Sequence, residues 1–256
     1  MKVTFLGTGT SQGVPVIACE CAICTSTDSR DNRLRTSVMV EVNGKVIVID
    51  SGPDFRYQML RSKTHQLDAI LFTHEHKDHI AGLDDVRAFN FKHDREIDVY
   101  AEERVQAALK NEFSYIFSGI NYPGLPRVIL HELQNQSLNI QGVEVLPIRV
   151  MHYKLPVFGF RIGDFTYITD AKSISEEEKQ KIKGSKVLVL NALRREDHIS
   201  HFTLQEAIDL AQEIGAEQTY LTHISHQLGL HTEVEQELPE GVYLAYDGLR
   251  LVVSNE

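Results

Sequence analysis

The chain has 256 residues, 42% hydrophobic and 24% charged, with a formal net charge of −10. That length suits one large domain or two small ones, and no apolar run reaches the roughly 20 residues of a membrane span. An acidic surface repels phosphate backbones, which argues against broad nucleic-acid binding, although each divalent cation bound would shift the charge by two.

Met1 to Gly7 enters a strand pattern at once, without the charged head, apolar stretch and cleavage site of a secretion signal, so a cytoplasmic protein is expected. Lys2 to Leu6 reads as a strand, and Gly7 to Thr27 as a long loop holding Gly7, Gly9, Gly13 and all three cysteines. The glycine-rich GTGTSQG lacks a clear following helix, so it reads as a loop bordering the site rather than a phosphate cradle. Two alternating runs from Ser37 to Asp50 flank Asn43-Gly44, a strong hairpin signal. Phe55 to Arg61 reads as a helix, Leu67 to Phe72 as a buried strand and Leu83 to Phe89 as a further helix. Asp98 to Ala101 predicts a strand, Glu103 to Phe113 a helix, and Gly119 to Arg127, with INYPGLPR, a loop that covers either the site or a partner.

Strands follow at Val128 to His131, Leu138 to Ile140 and Val143 to Met151, the last two joined at Gln141-Gly142. Phe158 to Ile162 and Phe165 to Thr169 predict a hairpin across Gly163-Asp164. Ser175 to Ile182 opens with an N-cap serine and acidic residues, as a helix start should. Lys186 to Asn191 is an apolar strand; Thr203 to Ile214 is an amphipathic helix with Leu204, Ala207, Ile208 and Ala211 on one face; Thr219 to Thr222 is a strand. Val242 to Ala245 and Leu249 to Val253 predict a closing hairpin around Asp247-Gly248. With no linker and no repeat, residues 1–256 read as one α/β (α+β) domain with two sheets and helices outside; a three-layer fold on one sheet has the same periodicity.

Chemistry concentrates in LFTHEHKDHIAG, Leu71 to Gly82. Alternate residues of an extended segment point the same way, so His74 and His76 can share one ion. Asp78 and His79 follow once the chain has turned and can address a second. Imidazole with carboxylate suits zinc, iron or manganese. Two ions need more ligands, and His152, Asp170 and His223 each stand just past an apolar run, the same context as His74.

Three cysteines inside Cys19-Glu20-Cys21-Ala22-Ile23-Cys24 make a poor disulfide framework and a better metal site. A closed zinc site needs a fourth ligand; His226 is the first candidate and His231 the second. His201-Phe202-Thr203 precedes a helix, with Thr203 a ready N-cap; His198 competes with His201 for a catalytic role, and Arg194 and Arg195 are candidate phosphate contacts. His65, His93 and His131 read as ordinary loop or surface residues.

HEHKDH resembles the HxHxDH signature of the metallo-β-lactamase superfamily, and His152, Asp170 and His223 follow in that family's ligand order. The resemblance implies a four-layer αββα sandwich with a binuclear metal site (zinc or manganese) at one edge. It implies that His74, His76 and His152 hold one ion, that Asp78, His79 and His223 hold the other, that Asp170 bridges them, and that Asp50 supports a ligand histidine from behind. Two cations roughly 3.5–4 Å apart share a water and lower its pKa towards neutrality, giving a bridging hydroxide with Asp78 helping to orient it. FLGTGTSQGVPV with the three cysteines, and the later THISH, resemble the PhnP-type cyclic phosphodiesterases, a branch near the tRNA 3′-processing nucleases. That branch implies a structural zinc on Cys19, Cys21, Cys24 and His226, small cyclic phosphodiester substrates, and His201 near the scissile phosphate as proton donor or phosphoryl contact. The function expected is a metal-dependent phosphodiesterase on small, cyclic ribose or nucleotide phosphates, with no extended nucleic acid and no membrane as partner, and a homodimer as an option. A tRNA 3′-endonuclease, a thioester or lactone hydrolase, and a non-hydrolytic metal-binding protein are the alternatives.

Overall fold

The structure, a computed structural model, describes residues 1–119 and 122–254; Ile120 and Asn121 of the INYPGLPR loop lie outside the described residues. The strands are β1 (Lys2–Gly7), β2 (Ser37–Val42), β3 (Lys45–Ile49), β4 (Ala69–Leu71), β5 (Ile97–Ala101), β6 (Val128–Glu132), β7 (Leu138–Ile140), β8 (Val143–His152), β9 (Leu155–Ile162), β10 (Phe165–Tyr167), β11 (Ser173–Ile174), β12 (Val187–Asn191), β13 (Gln218–Thr222), β14 (Val242–Leu244) and β15 (Arg250–Val252). The helices are α1 (Phe55–Ser62), α2 (Lys77–Ile80), α3 (Arg87–His93), α4 (Glu103–Glu112), α5 (Glu176–Ile182), α6 (Leu204–Ile214) and α7 (His231–Glu237).

One sheet runs β15-β1-β2-β3-β4-β5-β6, and the other β11-β8-β9-β10-β12-β13-β14 with β7 beside β8. Alternation along the strands fixes the layers. Val3, Phe5, Val38, Val40, Ile47, Ile49, Ala69 and Leu71 meet Phe158, Phe160, Val187 and Val189 in an apolar cluster between the sheets. The intervening residues face outward. Met39, Val48 and Ile70 pack with Phe55, Met59, Val105 and Leu109 of the helices on the first sheet. Leu188, Leu190 and Leu221 pack with Ile182, Leu204, Ala207, Ile208 and Ala211 on the second. The period-2 strands and the apolar helix faces close a four-layer αββα sandwich.

Most predicted elements recur within one to three residues, but the helix expected at Leu83 to Phe89 starts as a 3-10 turn at Leu83–Val86 and becomes α3 only from Arg87. The capping signals act as read: Ser175 accepts from Glu178 N, and Thr203 forms a capping box with Glu206. One pairing differs. Val242–Leu244 and Arg250–Val252 do not form a hairpin: β14 pairs in parallel with β13, whereas β15 pairs antiparallel with β1 in the other sheet. Asp247 is occupied otherwise, accepting from Leu34 N and Thr8 Oγ1 and pairing with Arg61, so the chain crosses between sheets there. His131 lies on β6, at the end of the predicted strand, and contacts Asp98 at 2.8 Å.

Candidate active site and metal centre

Three parallel neighbours, β3, β4 and β5, end at the same edge of the first sheet, and β10, β12 and β13 do so in the second. Residues just past such strand ends converge in the crevice outside them. Asp50 follows β3, Thr73 and His74 follow β4, Asp170 lies beyond β10 and His223 follows β13; His152 ends β8. Asp50, Asp170 and His223 all adopt left-handed backbone, with φ of 64°, 56° and 56°. Asp and His tolerate that region better than bulkier residues, and such turns re-aim the side chain into the crevice.

After His74 the chain turns into α2, with His76 as N-cap and Asp78 and His79 in the first turn. The turn packs tightly against the Asp50 loop. A Cβ on Gly52 would run into the carbonyl of Asp78, so only glycine lets the two segments touch.

Hydrogen bonds set the tautomers. Thr73 donates its hydroxyl proton to Asp50 Oδ2 at 2.8 Å, so at 2.9 Å it can only accept from His74 Nδ1. His79 Nδ1 donates to the same Asp50 oxygen at 2.7 Å. His152 Nδ1 donates to the Ser200 carbonyl at 2.9 Å. In all three rings the outer nitrogen carries the proton, and the inner Nε2 presents a lone pair to the crevice. His76, the most exposed of the set, reaches His74 Nε2 with its Nδ1 at 2.9 Å.

The inner atoms crowd together. Potential ligand atoms gather within 4.8 Å of one another in three groups: His74, His79 and Asp170; Asp78, His79 and His223; His152, Asp170 and His201. Asp170 belongs to two of them, as a shared carboxylate would. His76 lies outside all three groups, and His74 groups with His79 rather than with His76 and His152. His79 Nε2 lies 3.2 Å from Asp78 and 3.3 Å from Asp170, and His223 Nε2 is 3.3 Å from Asp170. Both nitrogens are buried without a hydrogen-bond partner, as is His201 Nδ1. Donors about 2.0–2.2 Å from one ion stand roughly 3.0–3.5 Å apart, so these contacts fit the edges of a coordination shell.

Electrostatics agree. Burial resists protonation of His79, but Asp78, Asp170 and Asp50 outweigh it and hold the imidazole well above its usual range. Burial would raise Asp170, yet His223 and His79 keep it well below the carboxylate range. Three carboxylates at one buried point call for positive charge, which a divalent ion supplies while displacing the proton. The His/Asp clusters fit a dinuclear metal site.

His201 is buried, its ring centroid 4.6 Å from that of His152 and 4.7 Å from that of His223. Burial, then His223, pushes its pKa down to about 2, so it is neutral. His198 lies behind it at 5.0 Å, partly exposed. Arg194 is spent on Gln227 and the Asp197 carbonyl, and Arg195 on Glu237.

The cysteines form a separate centre. Cys19, Cys21 and Cys24 sulfurs lie 3.3, 3.5 and 3.5 Å from His226 Nδ1. Tetrahedral zinc with bonds of ~2.3 Å to sulfur and ~2.0 Å to nitrogen puts those atoms about 3.5 Å apart. The Cys24 N–H points at Cys21 Sγ and lowers that thiol to about 6. His231 is elsewhere, its Nδ1 at 3.1 Å from Arg33, and is not the fourth member.

Thr73, the Ser200 carbonyl and Arg104, which bonds Glu75 at 3.0 Å, were not evident from sequence. Thr73 directly precedes the histidine motif, which was the available signal; the other two are brought in from distant segments.

The profile of the Beta-lactamase superfamily domain matches residues 45–224. A crystal structure of a new diphosphatase from the PhnP family superposes with a TM-score of 0.93 at 40% identity, covering 99% of this chain and 98% of that one. A protein of Porphyromonas gingivalis named octanoyltransferase is 40% identical over all of this chain, which spans 52% of its length. Ribonuclease Z of Thermosynechococcus vestitus is 26% identical over 64% of this chain and 37% of its own. The chain thus spans about half or less of the length of these two curated relatives. Among the described residues, no helix is long and apolar enough to cross a membrane.

Proposed function

We propose, from the premise that the chain belongs to the metallo-β-lactamase superfamily and within it to the PhnP family, that it is a binuclear metallohydrolase cleaving small phosphoric esters or diphosphates. The observation that carries this is the fixed tautomers of His74, His79 and His152, each of which groups with the one carboxylate common to them, Asp170. His74, His76, His152, Asp78, His79, His223 and Asp170 would hold the pair of divalent ions, zinc or manganese. Such a pair supplies a nucleophile at neutral pH and neutralises charge on phosphoryl oxygens.

The chain's residues do the rest. Asp50 and Thr73 keep the imidazoles aimed. Asp78, 3.2 Å from His79, is available to orient the attacking water. His201 is neutral and buried, suited to donate a hydrogen bond to a phosphoryl oxygen as charge builds there. Cys19, Cys21, Cys24 and His226 would hold a structural zinc.

Two observations favour a small substrate. The net charge is −10, and no run of basic residues stands out that could grip tRNA. Acyl transfer, suggested by the name of the twice-longer relative, gets no support from the site: all three cysteines surround His226, not the His/Asp cluster.

The test is metal-reconstituted protein against bis(p-nitrophenyl) phosphate, adenosine 2′,3′-cyclic phosphate, a nucleoside diphosphate sugar, a thioester and a lactone. Turnover confined to the phosphorus compounds is expected. Asp170→Asn should cost at least 10³-fold, and His201→Ala about 10²-fold with metal content unchanged. Preference for the thioester or lactone would reject the reading.

A further inference from the structure

The loop joining β8 to β9 contains two residues, Tyr153 and Lys154, because His152 pairs with Leu155 across the ladder. Tyr153 has φ of 57°. A two-residue hairpin with positive φ at its first position asks for glycine there, or for asparagine or aspartate; an aromatic residue is an outlier and strained. The other described non-glycine residues of this kind have ordinary accounts. Lys63 and Asp94 end helices, Asn43 and Gln141 precede glycines at turn tips, and Asp50, Asp170 and His223 build the site. Ala18 belongs to the cysteine loop. Tyr153 alone puts a large ring at a turn tip, and the ring packs into no core: the residue is 50% exposed.

Its position is specific. Tyr153 follows the site residue His152, whose Nδ1 holds the Ser200 carbonyl at 2.9 Å. The turn therefore abuts the segment leading to His201, where Ile199 is also exposed, at 62%. Lys154 Nζ lies 5.3 Å from the Tyr153 ring centroid, so a cation stands beside the ring. A fold that keeps a strained, half-exposed aromatic and a lysine in the two positions directly after a site histidine gains little in packing from them.

We infer that the Tyr153-Lys154 turn is the specificity element of the site, stacking a planar ring of the substrate while the lysine meets its negative charge. This rests on the phosphoester reading and narrows it to phosphoesters that carry a nucleobase or aryl group. Stacking of one base on an aromatic side chain corresponds to about tenfold in affinity or more.

The test compares wild type with Tyr153→Asn and Tyr153→Phe. The readout is the ratio of kcat/KM for adenosine 2′,3′-cyclic phosphate to that for ribose 1,2-cyclic phosphate, which lacks the base. Tyr153→Asn should lower that ratio about tenfold, through KM, while Tyr153→Phe retains it. Asparagine also suits left-handed backbone, so its Tm should rise by about 2–4 °C. An unchanged ratio, or a Tm that falls with both substrates weakened alike, overturns the inference. Should neither compound be turned over by wild type, calorimetric binding of ADP to the metal-loaded proteins decides separately: tenfold weaker binding to Tyr153→Asn supports the element, and equal or absent binding rejects it.

Discussion

Arg33 is buried, and its guanidinium donates to Thr8 Oγ1 at 2.9 Å, to the Ala245 carbonyl at 2.6 Å and to His231 Nδ1 at 3.1 Å. Burial draws its pKa down to about 10, which leaves it charged at neutral pH. A guanidinium only donates, so His231 must accept and stay neutral. Burial first, and Arg33 next, push His231 to about 4. Between pH 6.5 and 4 the unfolded chain binds a proton that the folded chain refuses, so stability is full above that window and is lost as pH falls through it. His231→Gln keeps an acceptor and cannot titrate. In urea melts at pH 7 and pH 4.5, wild type should lose about 2 kcal/mol more than His231→Gln; equal losses would mean that the arginine does not hold the histidine neutral. The residue scale is also where the sequence was most legible. His74, Asp170 and His223 were visible as polar residues just past apolar runs. What fixes the tautomers of His74, His79 and His152 was legible only in part: the family resemblance marked Asp50 behind a histidine, whereas Thr73 and the Ser200 carbonyl have no pattern of their own and matter only through where they fold.

At the scale of elements, periodicity identified strands and helices but not their partners. Alternation says which face of a strand is buried and leaves its neighbour unspecified; hence β14 and β15 looked like a hairpin and instead sit in different sheets. The same blindness concealed Arg104. It lies in the first turn of α4, donating to Glu75 at 3.0 Å and to the Pro156 carbonyl at 2.7 Å. Glu75 stands between His74 and His76, and Pro156 pairs with Met151, one rung from His152. One planar fork thus braces the β4–α2 turn and the β8–β9 hairpin together. Glu102 shares it at 3.4 Å and also binds Arg149, whose guanidinium lies 3.8 Å from the Phe158 ring centroid. Arg104 is partly exposed, so the brace contributes little to global stability. Its effect should appear in geometry. Arg104→Ala is expected to weaken metal retention at the His/Asp cluster about tenfold in chelator competition, with the denaturation midpoint nearly unchanged. Arg104→Lys cannot reproduce the fork and should recover only part of the loss. A chelation midpoint identical to wild type would remove Arg104 from the site's support.

At the scale of the whole molecule, the question is what keeps the long N-terminal loop on the second sheet. Gly9 bridges Arg35 on one side and Ile224 on the other, so the loop already lies in the seam between the halves. A metal ion on the Cys3His cluster would fasten it there, joining Cys19, Cys21 and Cys24 to His226 across 202–207 positions of sequence. A cross-link closing a loop of that length removes unfolded-state entropy equivalent to about 5 kcal/mol at most. His226 is three residues beyond His223, so the same fastening anchors the turn that presents a candidate ligand of the catalytic cluster. Two consequences separate a structural centre from a catalytic one. Cys21→Ser should bind one metal ion fewer per chain and unfold several kcal/mol more easily, while its residual folded fraction retains the chemistry. Mild chelation of wild type should strip the catalytic His/Asp cluster, which must keep a position open for substrate, before the closed thiolate centre, and abolish turnover before the midpoint moves, and added zinc should restore it. If the first ion lost is instead the one that collapses the fold, the assignment of the two centres is reversed.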